Sequence, residues 1–340
     1  MIPEVHVDLA ADAADRWHLP EALEGQAHEL LDLYNADLGG TNFLAQYGDQ
    51  LQQFVDTHVP PGMYEEIVGL AERINRPLPE LLLANLHYDV IKFLGSNSRA
   101  GCTAFAIDTP AGPVHAHNLD WWTELDILSR FTMLAHFTGA PAGRFSVVTW
   151  PGFLGAFSAI APGRFTVTLN AVSSNEPASF SIPVPMLIRS VLENVATFDD
   201  AVTALATTPI VSDCMLLLTG TEQGEMAVIE RTPTKHAIRR PENGCIIVTN
   251  DYILLADETA AATGGELEST SGGRFESVQS QLRKGRPGSV TECLPILRDA
   301  SVQMDITVQQ MAFSAATGDY IVRPAVQAVK GCRNVGGSEE

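Results

Sequence analysis

Over residues 20–95 the apolar positions recur at helical spacing. In PPGMYEEIVGLAERINRPLPELLLANLHYDVIKFL, Met63, Ile67, Leu70 and Ile74 fall on one face; Pro60 and Pro61 suit a helix start, and Pro77 with Pro79 separates a second apolar helix. At Cys102 the pattern changes. Short β-rich runs then alternate with turn residues: CTAFAID, a turn at TPAG, PVHAHNLD, FTMLAHF, RFSVVTW and AFSAIAPGRFTVTLNAV. Two helices follow, one with Leu187, Val191 and Val195 on a stripe, the next opened by a capping box at Thr197 to Asp200. Strands return in MLLLTG, MAVIERTP and GCIIVTN, the last apolar enough for a sheet buried on both faces. Further helices are expected to close the chain. This order predicts an α+β architecture with sheets inside helical layers. Neither an internal repeat nor a low-complexity segment is seen beyond the GGSEE tail.

At 340 residues, 45% of them hydrophobic, the chain is long enough for a substantial core in one domain or two. Its net charge of −20, from 41 acidic and 21 basic residues, provides no polyanion-binding footprint, which argues against nucleic acid and against an anionic membrane surface. MIPEVHVDLAADAADRW lacks the basic region and apolar core of a secretory signal, and no later window is apolar for long enough to span a bilayer, so a soluble, cytoplasmic protein is expected. The five cysteines, Cys102, Cys214, Cys245, Cys293 and Cys332, show neither CxxC pairing nor zinc-like spacing. Cys214 and Cys245 lie in apolar strands and read as buried thiols.

Cys102 has different neighbours. The polar run GSNSRAG before it reads as a surface loop, and Gly101 is the residue most permissive of strained backbone, so an accessible, bent Gly101–Cys102 bond is expected. If that bond were broken, Cys102 would carry a free α-amine, whose reference pKa of about 7.7–8.0 makes it a usable base near neutrality. One residue would then hold both nucleophile and base. The hairpin brings Asp120 back towards Cys102. It reads either as a carboxylate that holds the amine or as a turn residue and helix cap. His115 and His117 share a strand face at a spacing a metal site could use, but no third ligand is suggested, and no metal or cofactor is expected. Trp121 and Trp122 either floor an apolar pocket or belong to the core.

With these residues in view, CTAFAIDTPAGPVHAHNLDW resembles the start of the catalytic β-chain in the acid ceramidase and N-acylethanolamine acid amidase family, whose pattern is C-T-S, a hairpin, then R-N-x-D. VHVDLAADAADRW, YEEIVGLAERINRPLPELLLANLHYD, GFLGAFSAIAPGRFTVTLN and VTNDY resemble further family segments in order, so the likeness runs from about residue 5 to 255. The resemblance implies an αββα N-terminal-nucleophile hydrolase, self-cleaved into an α-chain (1–101) and a β-chain (102–340). It implies that Cys102 attacks an amide carbonyl, that Asp120 orients the amine, and that Asn250 helps form an oxyanion hole. An amide donor at a buried strand end suits that task, while a turn-starting Asn is the plain alternative. Asn170 occupies the strand end used by bile-salt-hydrolase-like enzymes.

Two departures stand out. The family arginine of R-N-x-D is His117 here, so histidine either takes over as a cation or activity is altered. The family's second arginine falls near STSGGRFESV, which makes Arg274 its candidate. The function expected from the resemblance is hydrolysis of a linear, lipid-like N-acyl amide through a thioester on Cys102. The apolar helices of the first hundred residues would either help a lipid reach the site or pack the core. An acyltransferase of the penicillin-acylating kind would share that thioester, and an uncleaved scaffold binding acyl ligands or a partner chain is the reading from another class. A papain-type protease lacks its local signature in AGCTAF.

Overall fold

The computed structural model describes residues 2–37, 40–94, 100–121, 127–258 and 266–325. Strand β1 (Glu4–Asp8) precedes four helices, α1 (Glu21–Asp37), α2 (Gly40–His58), α3 (Pro61–Arg73) and α4 (Leu78–Phe93). Pro60 and Pro77 sit at the caps of α3 and α4, where a missing N–H costs nothing, as the sequence predicts. The hairpin β2 (Ala100–Thr109) and β3 (Gly112–Trp121) comes next, then the short α5 (Ile127–Arg130). Strands β4 (Met133–Thr138), β5 (Phe145–Thr149), β6 (Ser158–Ala161) and β7 (Phe165–Asn170) form a meander. Helices α6 (Val184–Asn194) and α7 (Phe198–Thr207) follow; the Thr197 hydroxyl accepts the Asp200 N–H, as expected of the cap. The chain continues through β8 (Cys214–Thr219), β9 (Met226–Arg231), β10 (His236–Arg239), β11 (Cys245–Val248), α8 (Glu266–Lys284), α9 (Val290–Leu297), β12 (Thr307–Phe313) and β13 (Tyr320–Pro324).

Two sheets result, one ordered β1-β4-β5-β6-β7-β8-β9-β10 and the other β11-β2-β3-β12-β13. Side chains alternate between faces, and in β8 both faces are buried: Met215 and Leu217 meet Ala104 and Ala106 of the facing sheet, while Leu216 and Leu218 join the core shared with α6 and α7. On the far side of the smaller sheet, Phe105, Ile107 and Val114 pack with Val278 and Leu282 of α8 and Leu297 of α9. The layers are helix, sheet, sheet, helix: the expected αββα sandwich. No helix among the described residues is long and apolar enough to cross a membrane.

Two expectations need correction. The described chain ends on strands β12 and β13 rather than on helices. TVQQMAF hides its strand because Gln309 and Gln310 break the apolar pattern, yet both are buried: Gln310 donates to Leu297 O at 3.1 Å and Gln309 to Thr132 Oγ1 at 3.1 Å. Cys245 is half-buried, since β11 is an edge strand; Cys214 and Cys293 are buried, and Cys332 lies outside the described residues.

Beyond the shared apolar core and the α4 contacts of Asn85, Tyr88 and Lys92 with the sandwich, the first hundred residues are bound to it by a strand and by a buried ion pair. β1 extends the larger sheet by pairing in parallel with β4 from Glu4 and Leu134 to Asp8 and Thr138. Glu66 of α3, fully buried, accepts from both terminal nitrogens of the equally buried Arg189 on α6 at 2.6 Å, from Arg16 at 2.9 Å and from Trp17 Nε1 at 2.8 Å. The approach of α3 to residues 13–15 is closer than any side chain permits: a Cβ on Gly69 would stand 2.0 Å from Ala14 O. Gly69→Ala is therefore expected to lower stability by about 1–3 kcal/mol, the usual range for overpacking, as read from the urea unfolding midpoint.

Candidate active site

Register places the site residues. In the hairpin Cys102 faces Leu119 and Gly101 faces Asp120, joined by the two-residue turn Pro110 and Ala111, after which Gly112 opens β3 with a φ of 105°, a conformation suited to glycine. Most of the run read as a surface loop, residues 95–99, lies outside the described residues, but the expected accessible Gly101–Cys102 bond is corrected: β2 begins at Ala100, and both Gly101 and Cys102 are buried within it. The Cys102 side chain lies between the sheets, its Sγ–H donating to Leu169 O at 3.4 Å at the end of β7. Burial, with the neighbouring Asp120 charge adding to it, pushes the Cys102 thiol up to about 12.

Asn250 lies two residues beyond β11, not within a strand. Its Oδ1 accepts from Cys102 N at 3.2 Å and from Arg274 Nη2 at 2.7 Å, while its Nδ2 donates to Ala171 O at 2.7 Å. The amide group assigned to an oxyanion hole is thus committed, in this uncleaved chain, to a backbone carbonyl. Arg274 also donates through Nη1 to Cys102 O at 2.6 Å and to Thr103 Oγ1 at 2.8 Å. Helix α8 delivers it: Ser271, Arg274, Val278 and Leu282 recur on one face, and the last two anchor in the core while the first two reach the site. The Ser271 hydroxyl accepts the Asn250 N–H at 2.9 Å. Burial lowers the Arg274 pKa from its ordinary value, against the pull of Asp120 and Cys102.

Asp120 is fully buried. Its Oδ1 accepts from Thr307 Oγ1 at 2.5 Å, and its Oδ2 meets no partner among the described residues. Burial raises its pKa to about 6, although Arg274 and Thr307 oppose the shift. The folded chain therefore holds a proton that the unfolded chain, with an ordinary carboxyl near 3.9, releases at lower pH. Stability from this group is complete below about pH 4 and is lost as pH rises through about 6, at a cost of roughly 3 kcal/mol at neutrality. Asp120→Asn has no charge to bury, so it is expected to exceed wild type in stability at pH 8 and to match it near pH 4, as thermal melts at the two values would show.

Of the two readings of His117, the one that makes it a cation is not supported. Its ring lies between the sheets, with Nδ1 on Ser158 Oγ at 3.2 Å, and burial lowers its pKa to about 3, leaving it neutral. Arg274 is instead the cation at Cys102. His115 bridges Thr166 and Thr168 of β7 at 2.7 and 2.8 Å, so it ties the sheets together. Asn170 donates to Val248 O and Thr249 O at 3.2 and 3.0 Å, next to Leu169, and braces the chain before Asn250. Trp121 lines an apolar cleft with Tyr88, Trp150, Phe153 and Phe157, so it is both core and pocket wall; Trp122 lies outside the described residues. Sequence reasoning missed Thr103, Ser271 and Thr307. Thr103 stands in the C-T-S pattern without a role read for it, Ser271 and Thr307 are singled out by no motif, and tertiary packing aligns the three with Arg274, Asn250 and Asp120.

Comparison with known proteins bears on this site. Residues 107–311 match the family model described as acyl-coenzyme A:6-aminopenicillanic acid acyl-transferase. The chain is 31% identical over 213 residues to an N-acylethanolamine-hydrolyzing acid amidase of Caenorhabditis elegans, covering 59% of each chain. It is 26% identical over 261 residues to the acid ceramidase of Bos taurus, covering 68% of this chain and 63% of that one. The chain thus spans about three fifths of the length of these curated relatives. The solved structure of a Caenorhabditis elegans N-acylethanolamine-hydrolyzing acid amidase ortholog superposes with a TM-score of 0.54 at 22% identity, over 66% of this chain and all of that one, and so shares the fold. With more than half its length inside one family model, the chain belongs to the acyl-coenzyme A:6-aminopenicillanic acid acyl-transferase family, among relatives that include N-acylethanolamine acid amidase and acid ceramidase.

Proposed function

We propose that this protein is an N-terminal-nucleophile cysteine amidase that cuts itself before Cys102 and then hydrolyses a lipid-like N-acyl amide through a thioester on that residue. The observation that carries the reading is the convergence on a single residue: Asn250 at the Cys102 nitrogen, Arg274 at its carbonyl and Asp120, from the partner strand of the hairpin, beside its thiol. In the first step Cys102 Sγ adds to the Gly101 carbonyl carbon. The thiol proton passes to the Cys102 nitrogen as the peptide bond breaks, which leaves a Gly101 thioester and a free amine. Water then releases the Gly101 carboxylate and restores the thiol.

In the mature enzyme the new α-amine, held by Asn250 Oδ1, takes the thiol proton as sulfur attacks the substrate carbonyl, and passes it to the departing amine nitrogen. Water hydrolyses the acyl thioester to the free acid. A thiol pushed up to about 12 in the uncleaved chain keeps its proton, so it can reach the adjoining Gly101 carbonyl but has no base for an outside amide until the α-amine is unmasked. The family match supports a second reading, in which an amine rather than water accepts the acyl group. Because Arg274 supplies a cation at the site, the histidine at 117 no longer argues for a non-catalytic scaffold.

Intact mass of the purified chain beside Cys102→Ala tests the proposal. Two chains with a new N-terminus at Cys102, from wild type alone, are the expected result; a single chain from both across a range of pH would remove the α-amine mechanism. Product analysis with and without an added amine then separates hydrolysis from acyl transfer.

A further inference from the structure

Strand β12 meets the hairpin through an irregularity. Gln309 pairs with Leu119 and Gln310 with Asn118, yet Thr307 rather than Val308 pairs with Asp120, so the two-residue period is broken once, by a β-bulge at Val308. Counting by two from Met311, which shares a core with Leu119, through Gln309 would turn residue 307 towards the space between the sheets. Val308 takes that side instead and joins the same core, while Thr307 comes to the face that carries Asn118 and Asp120. There its Oγ1 donates to Asp120 Oδ1 at 2.5 Å. The hydroxyl is clamped: it accepts the Met304 N–H at 3.0 Å, and the Thr307 N–H returns to Met304 O at 3.0 Å, so its one proton is left for the carboxylate. One residue along β3, the Trp121 N–H is held by Ile306 O at 2.9 Å. Asp120 is thus gripped by one oxygen, while Oδ2, shielded from solvent, meets no partner among the described residues.

From this geometry we infer that Thr307 is a positioning residue for the reaction: the bulge of β12 aims its hydroxyl at Asp120 Oδ1, which fixes the rotation of the carboxyl and leaves Oδ2 for the α-amine that scission frees at Cys102. The inference rests on the self-cleaving amidase proposed above, for only there does Cys102 carry an amine. A donor aimed at a carboxylate also favours its charged form, so the same contact helps set the pH above which Asp120 can hold an ammonium. The Cys102 nitrogen gains its proton as the peptide bond breaks, so an ionised Asp120 serves the scission itself as well as turnover. Burial pushes Asp120 up to about 6 against Arg274 of α8 and the Thr307 hydroxyl, and the Cys102 thiol of β2 adjoins the same charge. Helix α9, packed on β3 and β12, brings Cys293, whose thiol burial pushes up to about 12, and Arg298, whose Nε donates to Gln310 Oε1 at 3.2 Å. Asp305, on the loop before β12, is exposed.

Two readouts test it. In full-length Cys102→Ala chains, carbon-13 labelling of aspartate carboxyls reports Asp120 by NMR, as the signal that Asp120→Asn removes. Thr307→Val, close in size but without the hydroxyl, is expected to raise the titration midpoint by about one to two pH units, the size expected of a hydrogen bond to a charged group, and Thr307→Ser to return it. In chains that keep Cys102, the acid limb of self-cleavage, followed on gels from pH 5 to 9 beside a thermal melt, should rise with Thr307→Val and return with Thr307→Ser. A side chain that only packs the strand would lower the melting temperature and leave both midpoints in place. Should Thr307→Val fail to fold, Thr307→Cys, a weaker donor of similar size, carries the test with a smaller shift in the same direction. Unmoved midpoints in a folded variant, or an unmoved acid limb where the titration has moved, would overturn the positioning role. A titration shift with no self-cleavage by the wild-type chain would instead overturn the amidase reading, and with it the role at the amine, leaving Thr307 as a clamp on Asp120 alone.

Discussion

Glu66→Ala is expected to lose about 3–5 kcal/mol of stability, because it leaves the Arg189 guanidinium buried without its bidentate partner. Against the 5–15 kcal/mol ordinary for a folded domain, that is enough to empty much of the native state. Two further donors lose their acceptor at once, Arg16 and Trp17 Nε1, so the segment before α1 comes loose with α3. Burial alone would raise the Glu66 pKa, but Arg189, Arg16 and Trp17 outweigh it and hold the carboxyl below its ordinary value. The sign follows: this stabilisation is present above pH 4.5 and fades as acid protonates the folded carboxyl. Urea midpoints at pH 7 and pH 4 would show the variant far below wild type at the first and closer to it at the second. A midpoint near wild type at pH 7 would mean that the helices are held by other contacts. In the cleaved protein the same substitution should let the two chains separate on gel filtration.

Arg274→Ala is expected to slow both self-cleavage and amide turnover by about 10²–10³-fold, the usual loss when one preorganised donor leaves a catalytic site. The side chain spans Asn250 Oδ1 and Cys102 O with two nitrogens of one planar fork, which a lysine cannot reproduce, so Arg274→Lys should recover only part of the loss. A purely structural residue would give a different result. Removing this cation also removes the charge that opposes burial at Asp120, so the pKa near 6 should climb and the pH profile of cleavage should move to higher pH. Cleavage followed on denaturing gels from pH 5 to 9, beside a thermal melt, distinguishes these roles. Wild-type rates in a stably folded Arg274→Ala would exclude the arginine from the chemistry.

What could be read from the chain beforehand was what local patterns encode. Helical spacing at Met63, Ile67 and Leu70, prolines at helix starts, and the TPAG turn gave the helices and the central hairpin with little ambiguity. β12 escaped because its glutamines find partners only after folding, and β1 because a five-residue strand is defined by β4, 130 residues away in register. At the site, Cys102 announced itself through its neighbours, whereas the neutrality of His117 depends on burial that no residue count reveals. Arg274 is a candidate in sequence by its place near STSGGRFESV alone, and the helix stripe running from Ser271 to Leu282 carries it to the cysteine. Ser271 and Thr307, which steady the site, carry no sequence signature, since any of several serines and threonines would have looked the same.

The burial of Gly101 and Cys102 inside a paired strand also bears on the molecularity of the proposed maturation. An outside protease must draw an extended segment into its own cleft, and here that would mean stripping β2 from β3 and β11 first. The scission proposed for Cys102 is therefore expected to be unimolecular: its half-time should be the same at nanomolar and micromolar protein, and mixing wild-type protein with Cys102→Ala chains should leave those chains whole.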